Sequence, residues 1–121
     1  MARTTEEVVR HHCQVLAAGD VAATVSDYAP DAFIITPGGV VQGHEALTAF
    51  FENSVATCMP PDAKQEFLKT ECYGELGQIV WTGDSRFCDI PFGTDTFVVR
   101  DGLIVMQTFA GIINNKQEGA K

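Results

Sequence analysis

Basic residues are scarce in this chain. Eight Lys and Arg stand against sixteen Asp and Glu, a formal net charge of -8. Nucleic acid and anionic membrane surfaces both demand a basic face, so neither is expected as a partner. Long hydrophobic runs are lacking too. Nothing approaches the roughly 20 apolar residues of a membrane-spanning helix. The N-terminal "MARTTEEVV" has no apolar signal-peptide core. There are four cysteines, Cys13, Cys58, Cys72 and Cys88, but no pair has CxxC spacing. That removes zinc-ribbon and thioredoxin-like readings. Reduced thiols in a cytoplasm are the expectation, with a pairing in space left open. The acids stand singly, without an EF-hand loop or a close His/Asp cluster, so no metal or other cofactor is expected. Gly38-Gly39 has no phosphate-loop context around it.

What is present suits one globular domain over residues 1–121. Apolar residues make up 45% and charged residues 20% of the chain, the balance of a packed core under a polar surface. "TTEEVVRHHCQVLAAG" opens with a capping box, Thr4 and Glu7, and stops at Gly19. Asp20 caps a second helix, "VAATVSDY", which Pro30 forbids from continuing. "FIITPGGVV" reads as a small hairpin. "GHEALTAFFENSVAT" is a third helix, with Leu47, Phe50, Phe51 and Val55 at helical spacing. Strands follow at about Gln65–Tyr73, Gln78–Phe87, Asp95–Arg100 and Leu103–Ile113, with turns at "GELG", "DIPFG" and "DG". The tail "NNKQEGAK" reads as frayed. The expected architecture is α+β: three N-terminal helices packed on a strongly curved antiparallel sheet.

Two polar residues fall on apolar faces. At about 100° per residue, Val8, Val9, Cys13, Val15 and Leu16 form one arc of the first helix. His12 lies in its middle, and His11 at its edge. A buried histidine requires a polar partner. His12 is either a core residue bonded to a backbone carbonyl or a group in a pocket. The Asp101-Gly102 turn sets Val99 opposite Ile104, Phe97 opposite Met106 and Asp95 opposite Thr108. By alternation, Asp95, Phe97, Val99, Ile104, Met106, Thr108 and Ala110 share the inward face. Thr96, Val98, Val105, Gln107 and Phe109 share the outward one. Asp95 is the ionisable member of the inward set. Burial would raise its pKa and favour the protonated form, able to donate to a ligand oxygen. The alternative is a solvated residue at a strand's open end. Asp84 and Arg86 alternate on one strand and read as an exposed face.

"LAAGDVAATVSDYAPDAFIITPGG", "QGHEALTAFFENS" and "TDTFVVRDGLIVMQTFAG" together resemble the nuclear-transport-factor-two-like superfamily. Within it, the chain is most similar to the steroid Δ-isomerases and SnoaL-like proteins. The resemblance covers about residues 5 to 113. It implies a cone, in which the sheet wraps around the helices and leaves a cavity open at one end. The isomerases of this superfamily use an Asp base opposite a Tyr and a protonated Asp that form an oxyanion hole. Carried over residue by residue, the protonated acid corresponds to Asp95 and the first-helix Tyr to His12. The base position, before the hairpin's proline, is Thr36. A threonine hydroxyl cannot shuttle a proton as a carboxylate does near neutral pH. Thr36 therefore reads more simply as part of a Pro-Gly-Gly turn.

Catalytic candidates are thus His12, as general base or oxyanion partner, and Asp95, as a neutral donor. Tyr28, Thr36, Phe50, Trp81, Phe97, Met106 and Thr108 are candidates for lining a cavity that takes a small apolar or aromatic molecule. Aromatics at such spacings are more often plain core than cavity lining. The reaction class implied is isomerisation, dehydration or cyclisation of an apolar carbonyl compound, with no cofactor. The alternative is a binding or assembly module, since the association domain of calcium/calmodulin-dependent kinase II shares the architecture. A homodimer through the outer sheet face fits both readings.

Overall fold

The computed structural model describes residues 2–116. The element order is α1 (Thr5–Ala17), α2 (Val21–Ser26), β1 (Tyr28–Thr36), β2 (Gly39–Gln42), α3 (His44–Thr57), β3 (Lys64–Tyr73), β4 (Leu76–Asp84), β5 (Cys88–Arg100) and β6 (Leu103–Asn115). The strands form one curved, unclosed sheet in the order β2-β1-β6-β5-β4-β3. Three helices pack on it, as the α+β reading expects. Every pairing is antiparallel except β1–β6, which is parallel. For the tail, Asn114 and Asn115 still belong to β6, and the expectation of fraying over 117–121 falls outside the described residues.

The helix ends follow local chemistry. Thr4 accepts from the Glu7 amide at 3.1 Å and Glu7 accepts from the Thr4 amide at 2.8 Å, a complete capping box. Asp20 caps α2 through the Ala23 amide at 3.1 Å. The second helix ends earlier than its sequence suggests. Tyr28 and Pro30 already belong to β1. The Asp27 carbonyl accepts from the Ile104 amide at 2.8 Å, and Tyr28 pairs with Ile104. Pro30 is tolerated because the β1–β6 register breaks between Tyr28 and Phe33, so no ladder amide is needed there.

The "DIPFG" turn is not formed. The chain reverses at Ser85–Phe87 instead, where the Ser85 hydroxyl accepts from the amides of Phe87 and Cys88 at 3.0 and 3.2 Å. Asp89–Gly93 lies within β5, and Pro91 sits at a break in the β5–β6 register.

The Asp101-Gly102 turn forms as expected. Both residues have positive φ, 54° and 78°, which matches the twist of a two-residue hairpin. Val99 pairs with Ile104, but Val98 then pairs with Met106. Val105 is thus an extra residue, a β-bulge. One extra residue exchanges the two faces of everything beyond it. Asp95 pairs with Phe109, not Thr108, and Phe97 with Gln107, not Met106. Gln107 is buried, whereas Met106 is 37% exposed and Thr108 and Ala110 are exposed. The inward placement of Met106 and Thr108 is therefore corrected: both lie on the outer face.

The core joins Val8 and Val9 of α1, Leu47 and Phe51 of α3, and Tyr28, Ile34, Ile79, Phe97, Val99 and Ile104 of the sheet. A second, smaller cluster gathers Met59, Cys88 and Ile90 beyond the end of α3. Between the two clusters the helices stand off the sheet.

Candidate functional site

That gap is an open cavity of about 560 Å³. His12, Cys13 and Leu16 face it from α1, and Phe50 and Phe51 from α3. Ile79 and Trp81 of β4, Asp95 of β5, and Gln107 and Phe109 of β6 form the opposite wall. The wall is mainly apolar with a few convergent polar groups, the usual make-up of a small-molecule site.

Asp95 is 8% exposed and fully partnered. Trp81 Nε1 donates to Oδ1 at 2.8 Å, and Gln107 Nε2 donates to Oδ2 at 2.8 Å. The Tyr28 hydroxyl in turn donates to Gln107 Oε1. A phenol that donates to the amide oxygen leaves the amide NH2 aimed at the carboxylate. Two donors on two oxygens is the pattern that suits an ion. Burial nonetheless wins over both hydrogen bonds and pushes the Asp95 pKa up to about 6. The Trp81 ring owes its position to Gly93, where a Cβ would stand 2.8 Å from Trp81 Cε2.

His12 is 3% exposed. Its ring meets those of Phe97, Tyr28 and Phe51 edge-on, at centroid distances of 5.2, 5.7 and 6.0 Å. Its Nδ1 is buried without a hydrogen-bond partner, so that atom lacks the carbonyl contact of an ordinary core histidine. Burial lowers its pKa to about 4, against the attraction of Asp27 and with a small push from His11. The imidazole is neutral at pH 7. Beside it, Cys13 is pushed up to about 12 by burial and then by the Asp95 charge. It is an inert thiol there.

The other expected site residues divide. Phe50 and Trp81 line the cavity. Thr36 reaches its rim, with its hydroxyl engaged in the turn: Oγ1 donates to the Gly39 carbonyl at 3.0 Å and accepts from the Gly38 amide at 3.1 Å. Tyr28 and Phe97 do not line it; they pack behind His12. Tyr28 acts from the start of β1, not from the second helix. Met106 and Thr108 face away. Gln107 and Phe109, expected outside, are inside. The bulge that brings them in has no local sequence mark. One signal was available: a buried carboxylate needs donors, and Gln107 is an amide on the neighbouring strand.

A second buried acid lies outside the cavity. Asp27 is 1% exposed and accepts from Arg3 Nη1 at 2.9 Å and His11 Nδ1 at 2.7 Å. Arg3 also donates to the Gly102 carbonyl at 3.0 Å. This cluster fastens the N-terminal segment to the hairpin turn. Among the described residues, no three His, Cys, Asp or Glu side chains gather as a metal site, and no helix is long and apolar enough to cross a membrane.

Comparison with known proteins follows the fold. The sequence model of the SnoaL-like domain matches residues 9–107. No curated protein matches the chain. Among solved structures, an NTF2-like protein from Cytophaga hutchinsonii superposes with a TM-score of 0.76 at 14% identity, over 93% of each chain. A ketosteroid isomerase candidate from Kribbella flavida gives 0.75 at 15% identity, over 89% of this chain and 77% of that one. The epoxide hydrolase/cyclase-like enzyme SalBIII, from pyran ring formation in the polyether salinomycin, gives 0.76 at 18%, over 93% and 95%. At these identities the likeness is one of fold.

Proposed function

The chain belongs to the SnoaL-like domain family, and from that premise we propose that its cavity binds a small apolar carbonyl compound on which Asp95 acts as an acid–base group. The observation that carries this reading is Asp95 itself. It is a buried carboxylate on an apolar cavity wall, with both oxygens held by fixed donors. A pKa of about 6 leaves it mostly ionised at pH 7 and yet basic enough to take a proton. The neutral-donor role that its sequence position suggests would belong to lower pH.

His12 is the complementary group. A neutral imidazole in a dry site donates one N–H to a developing oxyanion without first losing a proton. In the reaction, Asp95 would remove a proton from the carbon next to the carbonyl. His12 would hold the enolate oxygen, and Asp95 would return the proton at another carbon or to a leaving hydroxyl. Return to carbon is isomerisation and return to a leaving hydroxyl is dehydration; in cyclisation the enolate carbon attacks a second carbonyl of the same molecule, the C=O π bond opens, and its oxygen takes the proton from Asp95. The relatives named above include an isomerase candidate and a cyclase-like enzyme, which supports the class and not the substrate.

Ketosteroid turnover is expected to be poor, because Thr36 stands where the isomerases carry their base and its hydroxyl is tied into the turn. The same fact favours the second reading, a cavity that only binds. Deuterium exchange separates the two. A thermal-shift screen of steroids, phenols and small polyketides first supplies a ligand. Its α-protons are then followed by NMR in D2O. Catalysis predicts exchange in the native protein and its loss in Asp95→Asn; binding without exchange supports the second reading.

We also propose a homodimer through the outer sheet face. Phe92, Thr94, Thr96 and Val98 of β5 and Met106, Thr108, Ala110 and Ile112 of β6 alternate outward there, without a charge among them. A monomer would leave this surface wet. The four free cysteines support a reducing, cytoplasmic setting.

A further inference from the structure

The second apolar cluster holds chemistry that the acid–base reading does not use. Cys58, just past the end of α3, and Cys88, the first residue of β5, bring their sulfurs to 3.3 Å. Both thiols are free. The two segments are already fastened together. The Ser85 hydroxyl donates to the Cys58 carbonyl at 2.6 Å, and the Cys88 amide donates to that same hydroxyl at 3.2 Å. The surroundings of the pair are unequal. Cys58 is partly exposed and lines the cavity, together with Met59 and Ile90. Cys88 is 1% exposed and lies behind it.

We propose that Cys58 and Cys88 form a reversible, peroxide-driven disulfide in the cavity wall, with Cys58 as the attacking thiol and Cys88 as the resolving one. The geometry assigns the roles. Hydrogen peroxide entering the cavity meets Cys58 and not Cys88. Cys58 gives up its proton, and its sulfur attacks one peroxide oxygen. The O–O bond breaks, and the departing hydroxide takes a proton to leave as water. Cys58 is then a sulfenic acid. The Cys88 sulfur attacks the Cys58 sulfur, the S–O bond breaks, and the hydroxide leaves as water with the Cys88 proton. In sum two thiols lose two electrons and two protons, and one hydrogen peroxide becomes two waters.

Neither backbone segment has far to move. A disulfide needs its sulfurs at about 2.05 Å, so closure takes side-chain rotation of roughly an ångström across an existing contact. Burial and the contact with Cys88 raise the Cys58 pKa, so the step is slower than in a free cysteine. The consequence is local. The bond would tie the end of α3 to β5 beside Trp81, which packs against the same cluster, and so stiffen the wall that holds Asp95.

The test treats the native protein with hydrogen peroxide, then measures intact mass and a non-reducing peptide map. The expected result is loss of two hydrogens, one linked peptide pair containing Cys58 and Cys88, and full reversal by dithiothreitol. Tm should rise by roughly 5–10 °C on oxidation, because the bond closes the loop between the two cysteines in the unfolded chain. Cys88→Ser should stop at a Cys58 sulfenic acid that dimedone traps. Cys58→Ser should leave Cys88 unoxidised. The proposal fails if the link joins Cys13, Cys72 or a second molecule. It fails if Cys58 passes to sulfinic acid while Cys88 stays free, or if Cys88 oxidises in Cys58→Ser. It also fails if no hydrogens are lost at a peroxide exposure far beyond the one that fully oxidises free glutathione, long enough to allow for the raised Cys58 pKa.

Discussion

Asp95→Asn is the most informative single change, because it separates the charge of Asp95 from its shape. The folded pKa of about 6 stands above the ordinary 3.8 of an aspartate. That gap of about 2 units corresponds to about 3 kcal/mol, at 1.36 kcal/mol per unit. The sign follows from proton binding. Between pH 3.8 and 6 the folded state holds this proton more tightly than the unfolded state does, so stability falls as pH rises through the window. Below pH 3.8 Asp95 is neutral in both states and contributes no such penalty. Above pH 6 the full penalty is present, net of the hydrogen bonds from Trp81 and Gln107. Asn has no charge to bury and keeps nearly the same volume. Urea unfolding of both proteins at pH 3.5, 5 and 7 provides the assay. Other titrating groups are common to the two proteins and cancel in the difference. The native protein should lose about 3 kcal/mol relative to Asp95→Asn between the lowest and the highest pH, on top of a pH-independent offset from the amide NH2 that then faces the Trp81 or the Gln107 donor. A difference that stays flat with pH, or that grows in the opposite direction, would refute the claim that Asp95 is desolvated, and with it the idea of a base held ready in a dry cavity.

Other changes address neighbouring parts of the site. Gln107→Leu removes a donor from Asp95 and strands the Tyr28 hydroxyl; it should cost about 1–3 kcal/mol in urea unfolding and move the Asp95 carboxyl titration, read by 13C NMR, to higher pH. His12 titrates low because it is buried neutral, so the native protein should lose about 3 kcal/mol relative to His12→Phe as pH falls from 6.5 to about 4, and His12→Phe should abolish any deuterium exchange of a bound ketone. Met106→Glu places a charge on the outer sheet face; sedimentation should show a monomer with the cavity's ligand affinity intact. Thr36→Asp should raise ketosteroid turnover only if the cavity accepts a steroid, so a flat response in a protein that binds steroids by thermal shift would count against an isomerase-like geometry.

Much of this protein is local in origin and was legible from its residues alone. The Thr4–Glu7 box, the Gly19 stop, the Asp20 cap and the Asp101-Gly102 turn act over a few residues, and each formed where its chemistry requires. The wheel of the first helix turned His12 inward because helical periodicity carries over one rigid element. The hairpin register carried as far as Val99 and Ile104 and placed Asp95 and Phe97 on one face, because those lie on the strand without the extra residue. Tertiary structure decided the rest. The bulge at Val105 is a long-range accommodation of the curved sheet, and nothing in "LIVMQTFAG" marks it. It moved Met106 and Thr108 out and brought Gln107 and Phe109 in, so the partner of the central carboxylate could not be read from alternation. Pro30 entered β1 instead of ending a helix, and Pro91 entered β5 instead of making a turn, because breaks in sheet register relieved each of the amide it lacks. The approach of Cys58 to Cys88 came from packing the end of α3 against the start of β5, a meeting that a sequence separation of 30 conceals. Short-range stereochemistry is written in neighbouring residues. Which distant side chains share a cavity depends on where a sheet slips by one, and that is settled only when the whole sheet is assembled.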